Sequence, residues 1–359
     1  MKKRVRAVLI LALAAALSSA CYNIGPRTIP RDRFDYNAAM SESWQEQTLL
    51  NIVKLRYADM PLFVDIASVV SGYTLESSVN LLCNRSSTGA VQGNSATLGG
   101  NATFTDRPTI TYAPITGSQF NKSFLTPIPP EAVLFLLQSG WSAELVFPLV
   151  VDSINGMRSQ IRSGNTRRAG DDDYYRVVEL LSQMQMDGAT GMQVKRDDES
   201  NETALLIVHK SALDDDSKMA YQELGRLLTL GPDWQAAVVK YGYLPESSDE
   251  IALITRSMLQ LIIHLATQVE VPPEHIAEGR TIPTMETVDG DRAAQLVKIH
   301  SSAEEPENAF VSIRYRDYWY SIDDRDFRSK SLFTFVMILF SLTESGDNVG
   351  LPLVTIPAG

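Results

Sequence analysis

Three observations predict an α+β fold, with antiparallel β-hairpins alternating with helices in one large domain or two sub-domains. Paired segments of period-two alternation flank turn residues, helical-period segments separate those pairs, and the composition suits a chain with a substantial core. The 359 residues are 44% hydrophobic, 21% charged and 8% aromatic, with 21 Gly and 17 Pro. These proportions exclude wholesale disorder, a collagen repeat and a disulfide mini-scaffold. A formal charge of −11 argues against a nucleic-acid groove, which needs clustered basic residues to replace phosphate counterions.

At the N-terminus Lys2, Lys3, Arg4 and Arg6 form a basic head, Ala7 to Leu17 an apolar run, and Ser18, Ser19 and Ala20 a small-residue stretch before Cys21. Such an apolar run rises only about 16 Å as a helix, roughly half a hydrocarbon core, so residues 1–20 read as a signal peptide rather than a membrane span. The stretch before Cys21 resembles the lipobox of bacterial lipoproteins, although Leu17 stands one place early and Ser18 fills the usual leucine position. That resemblance implies cleavage between Ala20 and Cys21 and acylation of Cys21, and two or more acyl chains anchor a protein stably. Tyr22 follows the cysteine where lipoproteins retained in the inner membrane carry aspartate, which implies a periplasm-facing anchor in the outer membrane. Cleavage removes four basic and no acidic residues, leaving 28 basic against 43 acidic side chains, a net charge of −15. Anionic head groups repel so acidic a body, and membrane contact falls to the lipid. Cys83 is then the remaining free thiol, and Leu81-Leu82-Cys83-Asn84 reads as a small buried hydrophobe.

Residues 21–36, with Gly25-Pro26 and Ile29-Pro30, read as the lipidated tether. An N-terminal α+β sub-domain is expected over 37–157. It opens with a helix from an Asn37 N-cap to Tyr57 and continues into a buried strand from Leu62 to Val70. A Thr/Gly-rich β-hairpin follows in 84–120, with Ala96, Leu98, Ala102, Phe104, Ile110 and Tyr112 on one parity. Ser95, Thr97, Asn101, Thr103, Thr105, Thr109 and Thr111 take the other, and Asp106-Arg107-Pro108 is the expected turn. A short apolar helix, Glu131 to Leu137, comes after Pro127 to Pro130. Residues 158–173, with their glycines, arginines and the triplet Asp171 to Asp173, read as a linker, and 174–359 as the C-terminal α+β sub-domain. In it an acid-started helix carries Tyr174, Val177, Val178, Leu181 and Met184. A hairpin pairs Met192 to Lys195 with Ala204 to Val208 around the turn Asp197 to Glu202. A second acid-started helix (Asp214 to Leu228), a strand (Ala236 to Tyr241) and an apolar helix (Arg256 to Val269) follow. A final hairpin turns at Arg316-Asp317 and pairs Tyr315 with Tyr318, Ile313 with Tyr320, Val311 with Ile322, Arg314 with Trp319 and Ser312 with Ser321. Leu332 to Phe340 is apolar all round, so that helix is buried on every side or serves as an interface.

The chemistry-bearing residues form no recognised catalytic motif. His209, His264, His275 and His300 have no metal spacing, and HExxH, CxxC, GxSxG, GxGxxG and Walker motifs are all missing. His264 falls on a polar stripe with Ser257, Gln260 and Gln268 and reads as a hydrogen-bonded surface or groove residue. Acid clusters at 171–173, 214–216 and 323–326 each precede a helix, a role that explains them without calcium. No catalytic residue, metal site or cofactor is therefore predicted. The candidate binding residues are Arg314, Tyr315, Tyr318 and Trp319, because Tyr and Trp bury area while keeping a polar handle. Three aromatics on the hairpin's core face, with Arg314 stacked on Trp319, would explain the same residues structurally.

Leu49 to Glu76, Asp106 to Trp141, Tyr318 to Leu342 and the ending TIPAG resemble a group of Gram-negative outer-membrane lipoproteins to which no activity is assigned. The resemblance spans most of the mature chain and implies the same address without transferring a catalytic residue.

These readings lead to the expectation of a lipid-anchored, non-enzymatic binding or assembly module with a protein partner in the envelope and no nucleic acid. Homo-oligomers fit as well, because Ala96 to Phe104 has the length of one tilted membrane strand and several copies could donate hairpins to a shared pore. Against a pore, the apolar parity is weak, with Gly100 and alanines in place of large lipid-facing side chains, and Ile110 to Pro114 is too short to return across a bilayer. An envelope-polymer hydrolase using Asp323 and Asp324 with a tyrosine is the third reading.

Overall fold

The computed structural model describes residues 24–70, 73–84, 95–106, 109–163, 166–196, 202–213, 215–284 and 296–343. The signal peptide, Ala20, Cys21 and most of the 197–202 turn lie outside these. The fold is α+β. Helix α1 spans Ile24–Arg56, so described residues of the expected tether are helical and Asn37 is an interior residue rather than the N-cap. Pro30, itself exposed, lies inside this helix, where it donates no backbone hydrogen bond. Towards its C-terminus Leu49, Ile52 and Val53 are fully buried, as the helical spacing demands.

Two compact units emerge. The smaller, 62–123, is a β-ribbon. Strand β1 (Val64–Val70) pairs antiparallel with β4 (Thr109–Pro114), and β2 (Tyr73–Asn84) with β3 (Ser95–Asp106). Both sheets are two-stranded. The expected hairpin turning at 106–108 is thus corrected: β3 pairs back to β2, and β4 pairs to β1. Alternation located the strands, but period two is identical for every potential partner and cannot select one. Nor is 62–70 buried along its length, although Phe63 is. Leu62 and Asp65 are exposed and Val64 and Ile66 half-exposed, since a two-stranded ribbon has no opposing layer to cover it. The side chain of Cys83 lies outside the description.

The larger unit comprises 24–61 and 124–343. Helices α2 (Pro130–Gln138) and α3 (Ala143–Val150) lead into a six-stranded sheet of order β6-β5-β12-β11-β10-β9. Its strands are β5 (Val151–Ile154), β6 (Met157–Arg158), β9 (Thr190–Arg196), β10 (Glu202–Val208), β11 (Ala236–Tyr241) and β12 (Glu250–Thr255). The pairs are antiparallel except β11–β12, which is parallel. Four-residue pairing there needs so short a return that 242–249 suffices without a crossover helix. Helix α4 (Asp172–Met186) packs against α5 (Asp215–Leu227), and α2 lies on β9, β10 and β11.

Residues 158–173 are not a domain linker. They hold β7 (Ile161–Ser163) paired with β8 (Thr166–Arg168). The excursion closes on itself, because Asp171 N–H donates to the Arg158 carbonyl (2.9 Å) and Arg158 N–H to the Asp171 carboxylate (2.7 Å). Helix α6 is Met258–Ala266, with Ser257 as N-cap in a capping box with Gln260. The helix therefore starts after Arg256, whose buried guanidinium donates to carbonyls of Pro148, Leu149 and Gln160 and to Ser159 Oγ. His264 on α6 is buried, which removes the surface half of the surface-or-groove reading.

Last come α7 (Pro273–Ala277), the sheet β13-β15-β14 (His300–Ser302, Tyr318–Asp323, Ala309–Tyr315) and α8 (Phe327–Thr343). The five predicted pairs of the β14–β15 hairpin occur as read. Arg316 (φ 50°) and Asp317 (φ 69°) both take the left-handed conformation that a two-residue primed turn requires. Among the described residues no helix is long and apolar enough to cross a membrane.

Candidate functional site

Tyrosines concentrate where the end of α1 meets α7 and the β14–β15 hairpin. Tyr57 stands just beyond α1, and its hydroxyl is 2.6 Å from that of Tyr320 and 2.7 Å from His275 Nδ1. All three residues are buried. Tyr320 donating to Tyr57 leaves the Tyr57 proton for the imidazole. Around this core Tyr315 donates to the Asp59 carboxylate, Arg316 pairs with the same carboxylate at 2.8 Å, and Tyr318 donates to Glu274. The Arg316 guanidinium lies 4.9 Å from the Tyr57 ring centroid, a cation–π contact that offsets the cost of its positive φ.

The electrostatics are those of a closed network. Burial raises the Tyr57 phenol, and burial with the hydrogen bond to Tyr57 raises Tyr320. The Tyr315 hydroxyl, aided by Arg316, holds Asp59 below the ordinary carboxylate range, and the Tyr318 hydroxyl does the same for Glu274. The raised phenols and lowered carboxylates are each hydrogen-bonded to a partner within the network. Its chemistry is cohesion, tying α1 to a hairpin more than 250 residues away. Tyr57→Phe should orphan the Tyr320 hydroxyl and His275 Nδ1 at a cost of about 2–3 kcal/mol. Denaturant titration checks this, and a midpoint matching the parent protein would refute it.

The raised phenols also set a pH dependence. A group whose folded pKa lies above its unfolded value contributes its full stability below the unfolded value, which is about 10 for tyrosine. That stability is lost as pH climbs through the folded value. Tyr174, fully buried with its hydroxyl 2.9 Å from the carbonyls of Phe147 and Val151, is raised by burial and belongs to the same set. The melting temperature should stay level towards pH 9 and fall above about pH 10, with part of the tyrosinate absorbance appearing only on unfolding. Smooth ionisation of every tyrosine at unchanged ellipticity would contradict this.

The four sequence candidates divide. Tyr315 and Tyr318 are committed to Asp59 and Glu274. Arg314 and Trp319 oppose each other on the other face of the hairpin, exposed and half-exposed respectively. The expected stacking between them is not among the cation–π contacts, and Arg314 stands 3.7 Å from Asp317 instead. Asp323 and Asp324, the acids of the hydrolase reading, are taken up by Arg325 and Lys330, and Arg325 holds Asp323 below its usual range.

Sequence reasoning missed Tyr57, Asp59, Glu274 and His275 as one centre, because nothing local links them. It also missed a cleft of about 430 Å³ lined by Leu137, Gln138, Ala143, Leu181, Leu206 and His209. Gln185 in its wall is spent on the backbone of Leu137, Trp141 and Ala143. Among the described residues no three His, Cys, Asp or Glu side chains converge as a metal site would require. No protein-family model, curated protein or solved structure matches the chain.

Proposed function

We propose that this chain is a lipid-anchored lipoprotein of the Gram-negative envelope, held in the outer membrane through acylated Cys21. There it works facing the periplasm, as a binding and assembly module rather than an enzyme. The observation that carries the reading is the β-ribbon of unit 62–123, two strands paired over twelve residues with no third strand beside them among the described residues. A chain keeps so long a two-stranded element when something outside its own core completes it. The lipobox resemblance supplies the address, and the side chains of the tyrosine network are spent on one another.

The anchor is tested by fatty-acid labelling and fractionation. The parent protein should incorporate labelled palmitate and sediment with outer membranes, whereas Cys21→Ser should be unlabelled and soluble. An unlabelled, soluble parent protein overturns the reading. Turnover of generic esterase, glycosidase or peptidase substrates that Asp323→Ala abolishes would overturn its non-enzymatic part.

A further inference from the structure

Building on that reading, we propose that the β2–β3 ribbon is a membrane-spanning strand pair that joins ribbons of further copies of this chain in one closed β-barrel. Length is the first argument. Twelve paired residues extend about 40 Å, and tilted as barrel strands are they cross a hydrocarbon layer of about 30 Å. The objection raised by the shortness of 110–114 falls away, because the returning strand is β2.

Register is the second. Leu75 opposes Phe104, Ser77 opposes Ala102, Val79 opposes Gly100, Leu81 opposes Leu98 and Cys83 opposes Ala96. That parity carries no charge over nine residues. The alternate parity pairs Glu76 with Thr103, Ser78 with Asn101 and Asn80 with Gly99, and these six positions are exposed. Over those nine residues the uncharged parity and the polar parity correspond to the outside and inside of a water-filled barrel, with Asp106 just beyond the end of the former. Tyr73 opposes Asp106 at the end nearest β1 and β4, where an interfacial aromatic belongs.

The edges select the occupant. Among the described residues each strand of this ribbon has a single partner, and a bilayer tolerates no open edge. A second copy offers an edge of the same length: β3 of one chain meets β2 of the next with no overhang. Whole hairpins yield an even number of antiparallel strands. Like copies of an acidic chain repel each other, yet the ribbon brings together strands with one charge each, Glu76 and Asp106. The proposed seam therefore carries one charge per strand.

The test uses the full lipidated protein in detergent and in phosphatidylethanolamine/phosphatidylglycerol vesicles loaded with a small fluorescent dye. Light scattering should report an oligomer, and the vesicles should release dye. Val79→Glu and Leu98→Glu, on the uncharged parity, should each cut release at least about tenfold, whereas Thr103→Glu on the polar parity should leave release within about twofold. Thermal melts of all three variants should match the parent protein. A monomer that releases no dye, or equal effects on the two parities, overturns the proposal. Palmitate labelling of the same preparations keeps the two readings apart. A labelled, outer-membrane monomer sinks the barrel and spares the anchor, whereas an unlabelled protein sinks the anchor itself.

Discussion

Arg256→Met is expected to destabilise the protein by about 3–5 kcal/mol, the range for breaking a buried charged network on one side. The guanidinium is buried, its nitrogens 2.6 Å from the Pro148 carbonyl, 2.9 Å from that of Leu149, 3.2 Å from that of Gln160 and 3.1 Å from Ser159 Oγ. Asp152 lies 3.5 Å away as its counter-charge. The Pro148 and Leu149 carbonyls lie in the last turn of α3 and that of Gln160 in the segment between β6 and β7, and the buried Leu149 and Gln160 carbonyls would lose this donor once the arginine is gone. The main chain at 256 is tied as well: Arg256 N–H donates to Val150 and its carbonyl accepts from Ile128. Methionine keeps the stem volume, so the loss should be one of hydrogen bonds more than of packing. A fall in melting temperature of about 10 °C would fit that cost in a chain of this size. Lysine should restore only part, since one ammonium cannot reach carbonyls spread across a planar fork. A methionine variant melting with the parent protein would refute the clamp.

Phe335→Ala should cost a similar 3–5 kcal/mol through a cavity in the core. The side chain is fully buried and its ring centroid is 4.7 Å from that of Trp141, so an aromatic pair is lost along with the transfer free energy. The same helix supplies the control. Phe327 is 79% exposed, and Phe327→Ala should change stability by less than about 0.5 kcal/mol. Calorimetry of the two variants side by side measures the difference, and comparable losses would mean that α8 is not the core helix described here. The sequence left α8 either buried on every side or an interface. The structure buries Leu332, Phe333, Phe335, Val336, Met337, Leu339 and Phe340 and sets Phe340 against Phe124 and Phe333 against Phe310.

What was legible was local. The β14–β15 register followed from two turn residues, because a hairpin loop fixes the pairing of the strands that leave it. The acid-started helices α4 and α5 followed from carboxylates at a positive helix terminus and apolar residues at helical spacing. The β9–β10 hairpin was found for the same kind of reason. The candidate site was half legible: aromatics at 315, 318 and 320 mark a cohesive face, but the network's centre needs Tyr57 and His275, 218 residues apart.

The amino-acid order alone therefore determined the fold class, most element positions and the short-range pairings, since hydrophobic period and turn chemistry act over a few residues. Only the tertiary structure decided which strands of 64–114 are partners, that 158–173 folds back within a unit, that β11 and β12 run parallel, and that Arg256 is a buried clamp. In each case the energy lies in contacts between residues far apart in the chain, and a pattern of apolar and polar positions does not name the partner that will satisfy it.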